Sequence, residues 1–378
     1  MILSQFDGKL ALQQRVLTAY RAPFFGELAH ACAGGLSVCA GLPRPEESIA
    51  VTDQLHFAEF VSVQNQHLLQ GPFYLCYQRG LSAWLENCSP DALIVEANPR
   101  YLATPAAVRW MKRRGKPVIG WGLGAPPASG SPHFLQKWGE RQRGALRLSF
   151  LRPFDALITY SQRGAEEYAR LGFPADKIFV APNAVVASPS QPLPARRLEG
   201  WDDQPAVLFV GRLQARKRVD LLLQACAALP AALRPRLVIV GDGPERATLE
   251  ALAQTVYPAA EFPGASHGTE LAGYFSAADL FVLPGTGGLA IQEAMSYGLP
   301  VIMGQGDGTN DQLVRPGNGW QIPPDDLSTL VGTLHMALSD VRRLRRMGAE
   351  GYRIVRDEIN LEKMVGVFLE ALNSVIAK

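Results

Sequence analysis

Cysteine is scarce in this chain, and its spacing suits no common cysteine chemistry. The 378 residues hold five, at Cys32, Cys39, Cys76, Cys88 and Cys226, and no two stand in a CxxC arrangement. That argues against a disulfide framework and against a zinc site, and leaves buried thiols in a reducing compartment. Long apolar runs are missing too: none reaches the ~20 residues needed to span a bilayer. Met1–Gly8 carries Asp7 and has no basic segment followed by an apolar one, so no secretory signal is expected and a cytoplasmic location is. No DxD pair stands at an expected strand end, since Asp202-Asp203 and Asp325-Asp326 are adjacent pairs in loops. No metal site and no resident cofactor are read from these residues. Charged residues make up 19% against 47% apolar, which excludes a disordered chain. The net charge of +2 gives no reason to expect a nucleic-acid partner.

What is present is length and rhythm. A chain of 378 residues suits two domains. Residues 1–190 hold 19 Lys and Arg against 14 Asp and Glu, a balance of +5, and the remainder hold 18 against 21, or −3. Apolar strand-like runs alternate with helix-like stretches: Lys9–Leu17, Ala92–Glu96, Pro117–Trp121 and Asp155–Tyr160 read as strands, Pro23–Cys32 and Thr104–Arg114 as helices. His67–Trp84 also reads as a helix, from Leu68, Tyr74, Leu75, Gln78 and Leu81. The Pro- and Ser-rich stretch 187–204 reads as a linker. The rhythm restarts with strands at Val207–Val210, Arg236–Val240, Leu280–Leu283 and Pro300–Met303. Such alternation implies parallel sheets with helices on both faces, an α/β doubly wound, Rossmann-like architecture. The expected division is a domain over 1–186, the linker, a second domain over 205–345, and C-terminal helices over 346–378 able to pack back toward the first. The run Arg342, Arg343, Arg345 and Arg346 reads as a solvated helix face, with an anion site as the other reading.

Three strand-to-glycine turns recur in the second half. Phe209–Leu213 ends a strand at Gly211 and is followed by Arg212 and Lys217. In open α/β sheets the ligand crevice lies off the carboxyl ends of the strands, where two cations can neutralise a departing diphosphate. Val240–Arg246 is strand, glycine turn and helix, but lacks the third glycine of a dinucleotide fingerprint. Leu283–Val301 is the richest: a strand, the loop Gly285–Gly288, and a helix starting near Leu289. The free N–H groups of Gly288, Leu289 and Ala290 can meet an anion, and Glu293, one turn on, can accept two hydroxyl protons.

These segments, in this order, resemble glycosyltransferase family 4, the retaining enzymes with two Rossmann-like domains facing a cleft (the GT-B fold). The likeness runs over residues 206–325 through VGRLQARK, IVGDGPERATLE, the turn Phe262–Ala265, YFSAADLFVLPG, GGLAIQEAMSYGLPVI and PGNGWQIPPDD, with Tyr160-Ser161 and Ala181–Ala184 before them. The resemblance implies a hexosyltransferase that takes a sugar from a nucleotide-sugar co-substrate, without metal, to a saccharide or lipid-linked acceptor. It implies that Arg212 and Lys217 bind the donor diphosphate, with Gly211, Gly287, Gly288, Leu289 and Ala290 around it, Glu293 on the ribose and Phe262 beside the base. This chain departs from the family pattern at Gly285, where a first glutamate usually stands eight positions before the second, at Asn183-Ala184 in place of Asn-Gly, and at Trp121-Gly122 where a cleft histidine is common.

The first half is less telling. Glu96, Asn98 and Arg100 follow the strand Ala92–Val95, and Glu96 is a candidate to orient the acceptor or take its proton, against an ion pair or helix cap with Arg100. Arg15, Tyr20 and Arg21 follow the first strand and either line the same cleft, with Trp121, or are surface arginines. Residues 130–154 mix arginines and lysine with bulky apolar residues, and read either as a core helix with a basic face or as a contact with the inner membrane face. A nucleotide-sugar epimerase and a nucleotide-sugar-binding subunit without catalysis are the alternatives to a transferase.

Overall fold

The computed structural model describes residues 5–47, 49–125, 144–195, 204–306 and 312–376. The chain forms two compact units: Met1–Val185 with Leu361–Lys378, and Val186–Asn360.

In the first unit a parallel sheet runs in the order β3-β2-β1-β6-β7-β8-β9, with β1 at Leu10–Val16, β2 at Leu36–Gly41, β3 at Glu59–Ser62, β6 at Ala92–Glu96, β7 at Val118–Gly122, β8 at Ala156–Thr159 and β9 at Ile178–Val180. The order reverses between β1 and β6, so their carboxyl ends diverge around a crevice, the place where such sheets bind ligands. Because helices cover both faces, the central strands are apolar nearly throughout: Ala92–Val95 is fully buried. One face is closed by α1 (Ala22–His30) and by α11 (Leu361–Ile376), whose Met364, Val365, Phe368 and Leu372 share a core with Phe24, Phe25 and Leu28. Phe24 and Trp121 each meet the Phe368 ring at 4.9 Å between centroids. The other face is closed by α2 (Leu81–Cys88), α3 (Thr104–Lys112) and α4 (Gln162–Arg170), through Trp84, Leu85, Met111 and Tyr168. Ser161 caps α4 by accepting the Gly164 amide at 3.1 Å.

The stretch 67–84 is not one helix. It holds the second half of an antiparallel hairpin, β4 (Gln64–Leu68) paired with β5 (Leu75–Arg79), and only then α2. Leu69 and Gly71 take φ of 59° and 57° and reverse the chain, which no continuous helix allows. The apolar spacing that suggested a helix did not mark one buried face, for Gln78 is buried and Leu68 exposed. The hairpin is docked by backbone bonds from Cys76 to Arg100 and from Leu102 to Cys76, both 2.9 Å.

The second unit is a parallel sheet in the order β12-β11-β10-β13-β14-β15, with β10 at Ala206–Val210, β11 at Arg236–Val240, β12 at Glu261–Gly264, β13 at Leu280–Leu283, β14 at Val301–Gly304 and β15 at Gly319–Ile322. Its reversal falls between β10 and β13. Helices α5 (Val219–Ala228), α6 (Arg246–Val256), α7 (Gly268–Ala277), α8 (Leu289–Ser296), α9 (Leu327–Ser339) and α10 (Val341–Asp357) surround it. The segment Phe262–Ala265, read above as a turn, is edge strand β12 up to Gly264. The described part of 187–204 lies along α10, where Ser188 Oγ donates to the Arg356 carbonyl at 2.9 Å and Tyr352 Oη to that of Gln191; residues 196–203 lie outside the described residues. The unit runs past 345, to Asn360. Within the basic run, Arg345 is turned inward and paired with Asp279 at 2.6 Å, and Arg343 lies over the Trp320 ring.

Of 130–154, residues 126–143 lie outside the described residues; 144–151 is helical, with Leu151 and Phe154 buried and Leu146 exposed. Among the described residues no helix is long and apolar enough to cross a membrane.

Candidate functional site

At the reversal of the second sheet the loops after β10 and β13 are joined by backbone contacts. The Gly285 amide donates to the Lys217 carbonyl at 3.1 Å and the Thr286 amide to that of Arg216 at 3.0 Å. Lys217 returns the contact, its Nζ donating to the Thr286 carbonyl at 2.9 Å. Lys217 is only 8% exposed and, among the described residues, has no carboxylate within ion-pairing distance; burial, with Arg216 alongside, brings its ammonium down to about 8. Gly287 takes φ of 77°, and its Cα face is turned to the Arg216 guanidinium and the Lys217 ammonium: a Cβ there would stand 3.2 Å from each. The next residue, Gly288, opens α8, so the amides of Leu289 and Ala290 begin a helix beside two cations. Glu293 is half-buried one turn on, and burial pushes its carboxyl up.

Of the residues singled out for the donor, Lys217, Gly287, Gly288, Leu289, Ala290 and Glu293 fall in this one place. Gly211 is held to β11 through its amide, bonded to the Val240 carbonyl at 3.0 Å. Arg212, next to it, is exposed. Phe262 is half-buried on β12, at the far edge of the sheet, and its carbonyl accepts from Arg246 at 3.0 Å. Arg218, next in the run, is paired with Asp220, at 3.0 Å, and with Asp325. Arg216 was not foreseen. Adjacent cations in a run ordinarily diverge; here the 3-10 turn Ala215–Lys217 brings two of them to Gly287.

In the first unit, Glu96 ends β6 at the reversal. Its carboxylate accepts the Arg15 amide, while its own amide donates to Gln13 Oε1 at 3.0 Å. Gln13 is in turn bonded to Gln78 of the hairpin. Burial lifts the Glu96 carboxyl to about 7, against the pull of the Arg15 amide and the Arg15 and Arg21 charges. Arg100 is therefore not the partner of Glu96; Asn98 Oδ1 instead accepts the Arg100 amide at 3.1 Å in a local turn. The arginines are not surface residues either. Arg15 pairs with Glu47 at 2.8 Å. Arg21 is 5% exposed, lying over the rings of Tyr20, Trp121 and Tyr160 at 5.2, 5.3 and 5.3 Å and donating to Tyr160 Oη at 3.1 Å. Trp121 is core, 2% exposed, with an indole N–H that meets no acceptor among the described residues. The contact of Tyr160 with Arg21, though Tyr160-Ser161 was noted, and the pairing of the two glutamines were missed, because both depend on residues far apart in the chain.

Two family models match in tandem: "Glycosyltransferase Family 4" over residues 36–189 and "Glycosyl transferases group 1" over 195–354. A GDP-mannose-dependent alpha-mannosyltransferase of Mycobacterium tuberculosis is 41% identical over 131 residues, 34% of this chain and 32% of that protein. The chain thus spans about a third of the length of such mannosyltransferases. The lipopolysaccharide core biosynthesis glycosyltransferase LpsE of Rhizobium meliloti is 25% identical over 77% of this chain and 87% of its own. Anabaena HepE, solved in complex with UDP, superposes with a TM-score of 0.68 at 16% identity, over 97% of this chain and 99% of that one. Two Rossmann-like sheets, each with a crevice at its reversal, and two family models covering them in order lead to one assignment: the chain belongs to the group 1, family 4 glycosyltransferases of GT-B fold.

Proposed function

We propose that the protein transfers a hexosyl group, with retention at the anomeric carbon and without a metal, from a nucleotide sugar to a saccharide or lipid-linked acceptor. The reading rests on one observation above the rest: a buried lysine, Lys217, that has no carboxylate partner among the described residues, held at a helix start beside a second cation. The desolvation of Lys217 is offset when a diphosphate binds, because the anion supplies the charge the fold withholds. The amides of Gly288, Leu289 and Ala290 take phosphate oxygens, and Glu293 takes the ribose diol. In the chemical step the bond between the anomeric carbon and the diphosphate oxygen breaks. Lys217 and Arg212 stabilise the charge that grows on the leaving group, and the acceptor hydroxyl attacks from the same face. Its proton passes to a donor phosphate oxygen. Glu96, with Arg21 and Asn98, is the acceptor-orienting group. The names of relatives support the substrate class: a mannosyltransferase that depends on GDP-mannose, a lipopolysaccharide core glycosyltransferase, and a structure with UDP bound. An acceptor carried on lipid places the protein in the cytoplasm, at the inner membrane face.

Gly285 favours one second reading, a subunit that binds nucleotide sugar and does not transfer it. Both are tested by thermal shift with UDP-, GDP-, ADP- and dTDP-sugars, followed by transfer assays with the stabilising donor in excess chelator, the product's anomeric configuration being read by NMR. Stabilisation without transfer to any saccharide or lipid-linked acceptor favours the subunit. An inverted product, or activity that chelator abolishes, overturns the mechanism above.

A further inference from the structure

The inference concerns Gly285 and rests on the donor-site reading just given. The backbone of residue 285 lies flat against the turn that carries Lys217. A Cβ built on Gly285 would stand 2.1 Å from the Arg216 carbonyl oxygen, 2.5 Å from the Lys217 carbonyl carbon and 2.6 Å from its Cα. All three are backbone atoms, so no rotamer change relieves the clash. Three hydrogen bonds then join the two loops: Gly285 N–H to Lys217, Thr286 N–H to Arg216, and Lys217 Nζ back to Thr286. The ring they form fixes the ammonium against the loop that leads into α8.

We infer that Gly285 is a positioning residue for the donor diphosphate, acting through Lys217: only a residue without a side chain lets the two loops close, and their closure sets the ammonium at Gly287. The carboxylate missing from this position is therefore not a deleted group beside an otherwise unchanged site. The space it would need is filled by backbone.

Closure has a signature that a general structural role lacks. While the ring is closed, Lys217 is shut away from water and titrates near 8. An anion binds the protonated form, so affinity for a nucleoside diphosphate is level below about pH 7 and falls as pH rises past 8. If the loops part, the ammonium regains water, its pKa climbs back toward the ordinary lysine value, and the fall moves to higher pH while the plateau drops.

The experiment measures UDP, GDP, ADP and dTDP binding by calorimetry from pH 6 to 10 on the full chain. Gly285→Ala is expected to weaken binding about tenfold or more, as misplacement of a binding group does, and to move the alkaline fall upward. Thr286→Gly adds no atom and loosens only the loop; it is expected to give the same two changes in smaller degree, which covers the case in which Gly285→Ala does not fold. In the Lys217→Met background Gly285→Ala should cost no further affinity, because the pair act as one unit. Variants that fold, bind as wild type and keep the same pH profile overturn the inference, as do losses that add independently. Wild-type protein that binds none of the four nucleotides fails at an earlier point: the donor-site reading falls, and this inference with it.

Discussion

Replacing Lys217 by methionine should make the protein more stable and nearly unable to bind its donor. The ammonium is buried at 8% exposure against a single carbonyl, and its pKa is held at about 8 instead of 10.5. That difference corresponds to about 3 kcal/mol spent keeping the charge inside at neutral pH. Methionine fills most of the same space but leaves the Thr286 carbonyl short of a donor, which costs about 1–2 kcal/mol. The net gain is about 1–2 kcal/mol. For the second unit, Val186–Asn360, this is an increase in Tm of about 2–6 °C. The sign with pH is fixed. The folded pKa lies below the unfolded one, so the unfolded chain holds more protons between about 8 and 10.5, and wild-type stability rises through that window. The lead of Lys217→Met over wild type is therefore largest below pH 8, vanishes at about pH 9 and is reversed by about pH 10.5, where the charge penalty is gone and the unpaired Thr286 carbonyl remains. Scanning calorimetry of both proteins without ligand, at pH 7 and pH 10, measures it. A saturating nucleoside diphosphate should reverse the order by stabilising wild type alone. A less stable methionine variant at pH 7, or a gap that ignores pH, would refute the account of Lys217 as an ammonium held in readiness for an anion.

Arg212→Ala should lower kcat by about 100-fold or more with the fold intact, measured by steady-state transfer, since one charge-stabilising donor is removed from an exposed position. With Glu96 held at about 7, kcat/KM should climb as pH passes through 7 and the carboxyl ionises; Glu96→Gln should flatten that limb, and a limb that persists in the variant excludes Glu96 as its source. Gly241→Ala should cost about 2–4 kcal/mol in denaturant unfolding, because φ is 146° there and the new methyl would stand 1.9 Å from the Gly211 carbonyl oxygen.

Much of the second unit could be read from residues alone. Its strands are short apolar runs bounded by glycine or proline, and the structure keeps Arg236–Val240 and Leu280–Leu283 to the residue. The meeting of Lys217 with the glycine-rich loop was legible because glycine turns recur at successive strand ends of one sheet, where such loops converge. The first unit was harder. The hairpin Gln64–Arg79 is held by long-range contacts, a Gln13–Gln78 bond and backbone pairing with 100–102, which leave no local pattern. Arg21 read equally well as a cleft residue or a surface arginine, because its burial depends on Tyr160 and Met364, 139 and 343 positions away. The role of Gly285 was invisible for a related reason: a sequence shows that a side chain is absent, and only coordinates show what occupies the space.

The helix Leu361–Ile376 belongs to the unit that the chain begins, and this has a consequence for biosynthesis. As the polypeptide leaves the ribosome, the first sheet can form while Phe24, Phe25 and Trp121 still lack the Met364 and Phe368 that cover them. That apolar face stays uncovered until some 175 intervening residues have been made and folded. Nascent chains stalled before Leu361 should accordingly recruit chaperones through their amino-terminal half. A nonsense codon there should harm the first unit, although the second is the nearer in sequence.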